Sequence, residues 1–194
     1  LVDDFARLHP ALEFELIYTN ELMDLVKHGI DVAVRIGHLK DSSVIQKKAG
    51  HIELILVAAE TYLKQIAPLS DIHQLEQLRT IGFIQREWQL YAGTQQVKLK
   101  PDMSFTANNF IAVRELAIRG HGIAFLPRFI CEEQLASGAL KQVMPQWGDH
   151  GLPVQLVIPQ QKHLSPKNRA FFDYLAQRLN AHFSGSVINS KKLM

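Results

Sequence analysis

Residues 30–37 read "IDVAVRIG", a short apolar stretch typical of a β-strand, with an arginine near its end. Side chains alternate between the two faces of a strand, so Arg35 lies on the face opposite Val34 and Ile36, which we expect to be buried. A guanidinium in such a setting needs a partner. We therefore expect Arg35 to form a structural ion pair or to contact a ligand. The candidate carboxylates are Asp31, Asp41 and Glu13.

The segments before this strand alternate between helical and strand patterns. Residues 1–8 carry apolar side chains at helical spacing, residues 12–18 ("LEFELIY") alternate as a strand, and residues 21–29 ("ELMDLVKHG") return to helical spacing and end in glycine. The order helix, strand, helix, strand predicts a parallel sheet covered by helices. Such a domain usually begins with a strand, so we expect one upstream of Leu1.

A second set of alternating elements follows. The patterns predict strands at 44–50, 52–59, 80–84, 97–99, 103–105, 122–127 and 152–159, and helices near 60–66, 71–78, 109–119, 128–138 and 165–179. The stretch with Trp88 and Tyr91 is predicted to be irregular. Ser165 can cap the last helix and Pro166 can take its first position. The apolar face of that helix needs a sheet to cover, and we expect it to fold back onto the first unit.

The chain therefore predicts two α/β units, of which the first is discontinuous. We expect lobe I at residues 1–59 and 160–183, lobe II at 60–159, and a tail at 184–194. Two chain crossings, near 57–60 and 157–160, would then form a hinge over a cleft.

Composition narrows the functional classes. The 194 residues are 47% hydrophobic, and 21 Lys and Arg stand against 19 Asp and Glu without a dense basic stripe, so this segment is not expected to bind nucleic acid directly. A single cysteine, Cys131, excludes an intrachain disulfide and a CxxC pair. Neither a membrane span nor a signal peptide is recognisable, which predicts a cytoplasmic protein without a membrane partner.

Ligands of parallel α/β sheets gather beyond the carboxyl ends of strands, near helix N-termini. This rule selects Tyr18, Thr19, Asn20, Arg35 and His38 in the first unit, and Asn108, Asn109 and Pro127 in the second. Asn108 or Asn109 can cap the helix that follows, whose N-terminal field, together with Arg35, suits a carboxylate or another small anion. The alternative is that the asparagines cap the helix without touching a ligand.

Catalytic and metal-binding motifs are not recognisable. The nine histidines form no HExxH or other close ligand pair. The stretch "GHGIAF" (120–125) leads into a strand rather than a helix, so we interpret it as a helix C-terminus with Gly120 or Gly122 in a left-handed conformation. Motifs of serine nucleophiles and phosphate loops are also lacking. We predict a protein that is not an enzyme and has no metal and no cofactor.

Longer stretches resemble a known family. "FARLHPALEFELIYTNELMDLVKHGIDVAVRIGHLKDSSVIQKKAG", followed by "LVAAETYL", "IRGHGIAFLP", "GALKQVMPQW" and "LPVQLVIPQQKHLSPKNRAFFDYL", is similar in order and spacing to the effector-binding domain of LysR-type transcriptional regulators. The resemblance spans about residues 1 to 180. It implies an α/β fold of the type 2 periplasmic-binding-protein kind, with two Rossmann-like lobes joined by two crossovers.

The resemblance also implies how such a domain works. A small-molecule effector, a polar organic acid or a related metabolite, would bind in the cleft between the lobes, without catalysis. The effector-binding candidates are Tyr18, Thr19, Asn20, Arg35, Gly37, Asn108, Asn109 and Pro127. Arg35 recurs only in some branches of the family. Alternatives from other classes are a solute-binding protein of a transporter and an enzyme on the same scaffold.

The family pattern includes parts that we expect to lie upstream of Leu1, namely the winged helix-turn-helix, its linker helix and the first strand of lobe I. DNA would be bound only through that missing N-terminal domain. The resemblance further implies a homodimer or homotetramer, in which lobe I of one chain packs against lobe II of another. Candidates for part of that face are Leu22, Met23 and Val26, for which core packing is the alternative.

Overall fold

The computed structural model of the chain describes residues 1–37, 44–84, 87–149, 151–160 and 164–184. Its helices are α1 (Val2–Leu8), α2 (Glu60–Leu63), α3 (Phe110–Ile118), α4 (Glu132–Ala136) and α5 (Pro166–Ser184), with 3₁₀ helices at Ile72–Gln77 and Arg128–Ile130. Its strands are β1 (Ala33–Ile36), β2 (Val44–Ile52), β3 (Leu54–Ala58), β4 (Thr80–Phe83), β5 (Trp88–Ala92), β6 (Gln95–Leu99), β7 (Met103–Ala107), β8 (Ile123–Pro127), β9 (Lys141–Gln142) and β10 (Leu152–Pro159).

Two compact units make up the chain. The first comprises residues 1–51 and 152–194, and the second comprises residues 52–151. The chain thus passes between units at 51–52 and 151–152, earlier than the predicted crossings near 57–60 and 157–160. Strand pairing explains the difference, because β3 pairs with β8 and β9 in the second unit, whereas β10 pairs with β1 in the first. The predicted tail beyond residue 184 lies outside the described residues.

The first unit is built on a three-stranded sheet in the order β1-β10-β2. Strand β1 runs antiparallel to β10, with Arg35 opposite Gln155. The prediction that β1 belongs to a parallel sheet is therefore wrong for the pairing that the structure describes. Alternating strand and helix patterns reveal the elements, but they do not reveal that the strand returning from the second unit pairs with β1.

Strand β1 exposes the side that the sequence predicts to be buried. Val34 and Ile36 are 49% and 51% exposed, whereas Ala33 and Arg35 are half-buried. Apolar residues often remain on a protein surface, so hydrophobicity alone does not decide which strand face is buried.

Two predicted elements near the amino terminus do not form. Residues 12–18 pair with no described strand, and Leu16, Ile17 and Tyr18 are exposed. An alternating pattern is not sufficient for a strand, because the backbone groups also need a hydrogen-bonding neighbour. Residues 21–29 are not a helix, although Asp24 Oδ1 accepts from Val26 N at 2.9 Å and a short turn ends at Gly29.

Helix α5 packs against α1 in the first unit. The Phe5 ring lies 5.1 Å from the Phe171 ring and 5.0 Å from the Tyr174 ring, measured between centroids. Ser165 Oγ accepts from Asn168 N at 3.3 Å, so the predicted cap is present. This aromatic contact joins the first and the last helix that the structure describes.

The second unit contains a five-stranded sheet in the order β7-β4-β8-β3-β9. Strand β4 runs parallel to β7 and β8, while β3 runs antiparallel to β8 and β9. Strand β3 is buried along its whole length, with Leu56 in one hydrophobic cluster and Ile55 and Val57 in another. Burial on both faces explains why its sequence is a continuous apolar run.

The stretch predicted to be irregular around Trp88 is a β-hairpin. Strands β5 and β6 pair antiparallel, and Gly93 in the connecting turn has φ of +59°. Trp88 and Leu90 are buried while Gln89 is exposed, which is the alternation of a half-buried strand. Within the described residues, no helix is both long and apolar enough to cross a membrane.

Candidate functional site

The carboxyl ends of three parallel strands lie at one edge of the second unit's sheet. Because β7 and β8 both run parallel to β4, their ends at Ala107 and Pro127 lie at the same edge as the end of β4 at Phe83. Ligands of α/β sheets bind at this kind of edge. The predicted residues Asn108, Asn109 and Pro127 therefore share one edge of the second unit.

Asn109 is the N-cap of α3 at this edge. Its Oδ1 accepts from Ile111 N at 2.7 Å and from Ala112 N at 3.3 Å, and its backbone is extended, as an N-cap requires. The Phe83 and Phe110 rings stack with centroids 4.4 Å apart, which fixes the beginning of the helix against the end of β4. The predicted capping is confirmed, and ligand contact by Asn109 stays a prediction.

An ion pair follows the end of β8. Arg128 Nε lies 2.6 Å from Glu53 Oε2, and Arg128 Nη2 donates to Gln142 Oε1 at 3.1 Å. Arg128 N also donates to the Glu53 carbonyl at 2.8 Å. The sequence prediction includes Pro127, which is buried and opposite Leu54 in the sheet, but it does not include Arg128 or Glu53. The available signal was a charged residue directly after an apolar strand, in "FLPR".

Arg35 fastens a neighbouring segment of the first unit. Its Nη2 donates to the Met23 carbonyl at 2.7 Å, and its side chain is part-buried. The guanidinium of Arg35 thus has a partner, a backbone oxygen of the segment at 21–29. The suggested carboxylate Asp41 and the candidate His38 lie outside the described residues.

The other first-unit candidates have mostly backbone roles or are open to solvent. Thr19 Oγ1 accepts from Glu21 N at 3.1 Å. Gly37 has φ of +105°, its amide donates to Pro153 O at 2.9 Å, and its carbonyl accepts from Gln155 Nε2 at 3.2 Å. Tyr18 is 90% exposed, and Asn20 is exposed as well. The candidates thus form two groups, one in each unit, and a ligand shared by both groups stays a prediction.

The described part of the first unit includes two surface pockets. The larger, of about 310 Å³, lies beside α1 and is mainly apolar; it is lined by Phe5, Leu8, His9, Pro10, Ala11, Leu12, Lys167 and Ala170. The smaller, of about 190 Å³, is lined by Leu22, Met23, Asp24, Leu25, Val26, Val44 and Pro159. Neither pocket contains a predicted effector-binding residue. Among the described side chains, no three His, Cys, Asp or Glu residues are grouped as metal ligands.

Known proteins resemble this chain throughout most of its length. The sequence profile of the LysR substrate binding domain matches residues 1–180. The HTH-type transcriptional regulator PtxR of Pseudomonas aeruginosa is 27% identical over 179 residues, which are 90% of this chain and 57% of that protein. The HTH-type transcriptional regulator CrgA of Neisseria meningitidis is 25% identical over 191 residues, or 95% of this chain and 63% of that protein. The chain therefore spans little more than half the length of these curated relatives.

Solved structures agree with the sequence matches. The full-length virulence activator AphB of Vibrio cholerae, a member of the LysR-type family, superposes with a TM-score of 0.83 at 28% identity, covering 91% of this chain and 61% of that one. The regulatory domain of AphB of Vibrio vulnificus gives a TM-score of 0.80 at 25% identity, covering 91% and 89%.

These matches confirm the predicted fold class, the type 2 periplasmic-binding-protein-like fold of LysR-type regulatory domains. They do not favour a transporter's solute-binding protein, because the matched proteins are transcriptional regulators. With the profile of the LysR substrate binding domain matching nearly the whole chain, the chain belongs to that family.

Proposed function

We propose that this domain binds a small polar organic acid, or a related metabolite, as the effector-binding and oligomerisation domain of a cytoplasmic transcriptional regulator. The DNA would be bound by an N-terminal domain outside this chain, and ligand binding would change how that domain engages its operator. Membership of the family supports the regulatory role, as do the names of the matched relatives. We expect no catalysis and no cofactor.

The Asn109-capped beginning of α3 carries the ligand part of the proposal. It lies where three parallel strands end, and the first turn of a helix has a partial positive charge that favours anions. In the first unit, the guanidinium of Arg35 is a further candidate for binding the anion. Its bond to the Met23 carbonyl supports a fastening role, and a contact with the effector remains part of the proposal.

A thermal-shift screen of the chain against mono- and dicarboxylic acids, amino acids and polar aromatics tests this proposal. A ligand present at about 100 times its dissociation constant stabilises the folded state by about 2.7 kcal/mol. We expect stabilisation by at least one carboxylate-bearing compound. A screen in which only neutral compounds stabilise the chain would contradict the anion-binding role.

Asn109→Asp separates capping from ligand binding. Aspartate also caps helices well, so the fold should persist, but its negative charge should repel a carboxylate at the same helix end. The shift produced by an acidic hit should therefore shrink in this variant. Asp71→Asn is the matched control, because Asp71 caps a 3₁₀ helix elsewhere in the unit by accepting from His73 N. Equal loss of the shift in both variants would count against the assignment.

The gene upstream of the Leu1 codon distinguishes the functional classes. A helix-turn-helix reading frame there supports the regulator, whereas an export signal supports a solute-binding protein. With the full-length protein, gel-shift titrations with and without an acidic hit test the regulatory step. Turnover of that hit by the purified chain would instead support an enzyme.

The oligomerisation part of the proposal places Leu22, Met23 and Val26 in a contact between chains. Leu22 and Val26 are 73% and 60% exposed, which argues against core packing within this chain. We expect Leu22→Glu to lower the mass of a homodimer or homotetramer measured by light scattering. Ile45→Glu, at another exposed apolar residue of the first unit, is the control and should leave the mass unchanged.

A further inference from the structure

A part-buried carboxylate, Asp149, joins two segments of the second unit, each next to a passage of the chain to the first unit. Asp149 lies just before the second passage, at 151–152, and Leu54 lies just after the first, at 51–52. Asp149 Oδ1 accepts a hydrogen bond from Leu54 N at 2.8 Å, although the two residues are 95 positions apart. Within the second unit, this bond ties the beginning of β3 to the segment that ends the unit.

The surrounding contacts hold this carboxylate in place. Gly148, the preceding residue, bridges to Ile55 of β3 and to Tyr91 of β5, with Tyr91 N donating to Gly148 O at 2.7 Å. Asp149 Oδ2 is buried and has no hydrogen-bond partner within the described ranges. Oδ1 thus binds the Leu54 amide, while Oδ2 is shielded from water.

The charges facing Asp149 come from the beginning of β3. Burial raises the pKa of Asp149, and the negative charge of Glu53 raises it further, while the amides of Leu54 and Gly151 act in the opposite direction. Glu53 is itself bound by Arg128, which follows β8. The β5 element contributes its backbone at Tyr91 rather than a charge.

We propose that Asp149 is a proton-sensitive contact: taking up a proton weakens its bond to the Leu54 amide but removes the cost of a charge held away from water, so the second unit becomes more stable as the pH falls. A hydrogen bond to a carboxylate is stronger than one to a neutral carboxyl group. This role is independent of any effector, and it makes the stability of the second unit depend on pH.

The Leu54 amide reports directly on this contact. In ¹H–¹⁵N spectra recorded between about pH 4 and pH 8, its shift should titrate with a midpoint above the ordinary aspartate value. Asp149→Asn keeps an oxygen that can accept from Leu54 N but cannot ionise there, so the titration should disappear. Asp102→Asn, at an exposed aspartate of the same unit, should leave it unchanged.

A second variant tests the coupling to Glu53. Glu53→Gln removes the repelling charge and releases Arg128, and both changes should move the Leu54 midpoint to lower pH. A Leu54 shift that stays constant over this range, or one that titrates equally in Asp149→Asn, would overturn the proposal. So would a midpoint that Glu53→Gln leaves in place.

Global stability gives a further check with a defined sign. Because the folded-state pKa of Asp149 lies above its unfolded value, the folded state binds more protons between these two values. The stability of the parent chain relative to Asp149→Asn should therefore rise as the pH falls from neutral through the folded pKa, and level off below the unfolded value. A difference that is constant with pH, or that falls as the pH falls, contradicts the inference.

Discussion

Arg128 and Glu53 are 75 positions apart in sequence, yet their side chains form a bond of 2.6 Å between Nε and Oε2. The same guanidinium reaches Gln142, so one side chain joins the beginning of β3, the end of β8 and strand β9. Each partner is about one third exposed, which places the pair between a surface ion pair and a buried one. The Arg128 side chain thus links three parts of the second unit.

Arg128→Ala should lower the free energy of unfolding by about 2 kcal/mol, because it leaves the Glu53 carboxylate and the Gln142 oxygen without their partner. Urea unfolding followed by circular dichroism measures the change. Lys98→Ala is a matched control, since its pair with Glu87 is longer and more exposed, and it should cost less than about 1 kcal/mol. Equal losses in the two variants would show that the Arg128 pair has no special role.

Removal of the α3 cap should destabilise the second unit. Asn109→Ala loses the bonds to Ile111 N and Ala112 N, which should cost about 1 kcal/mol of unfolding free energy. Asn109→Ser supplies another capping oxygen and should restore most of that loss. Denaturant midpoints of the three proteins test the order, and an alanine variant as stable as the parent would show that the cap is dispensable.

Gly50 should not tolerate a side chain. Its φ is +133°, and a Cβ at this position would lie 2.5 Å from Phe183 Cβ in the same unit. Gly50→Ala should therefore cost about 2 to 4 kcal/mol from backbone strain and overpacking together. Gly93→Ala is the control, because Gly93 also has positive φ but open space around it, so only the strain of about 1 to 2 kcal/mol should appear. Indistinguishable unfolding midpoints would refute the steric argument.

Cys131 should be chemically inert in the folded protein. Its side chain is fully buried, and burial raises the pKa of the thiol to about 11 against the opposing charges of Arg114 and Arg128. Since the thiolate is the reactive form, a thiol reagent at neutral pH should label the chain only after it unfolds. Labelling kinetics with and without denaturant check this, and fast labelling of the native chain would contradict it.

Apolar runs with little ambiguity were the easiest features to predict. The segments around Leu56 and Ala124 form strands as expected, and Asn109, Gly120 and Ser165 have the helix-terminal roles that their side chains or lack of a side chain indicate. These features depend on local chemistry, which the sequence displays directly. The match of the LysR profile to the chain likewise follows motif order and spacing.

Features that depend on distant partners were harder to predict. Strand β1 pairs with a strand more than 100 positions away, and no local pattern indicates that this pairing is antiparallel or which face it leaves open. The hairpin around Trp88 was missed because each strand is only five residues long, and the pairing of β5 with β6 is not visible in either strand alone. The bond between Arg128 and Glu53 escaped notice for the same reason, since each residue looks like an ordinary surface charge. The effector contacts of Tyr18, Thr19, Asn20 and Gly37 stay predictions.

The open face of β1 has a practical consequence for work with the isolated chain. Val34 and Ile36 face solvent on the strand, and Leu16, Ile17 and Tyr18 are exposed on the preceding segment, so the first unit displays apolar surface that water does not favour. Such surface makes a preparation prone to colloidal aggregation as its concentration rises. Ligand screens are therefore best run dilute, with light scattering recorded beside every melting curve, so that clumping is not mistaken for binding.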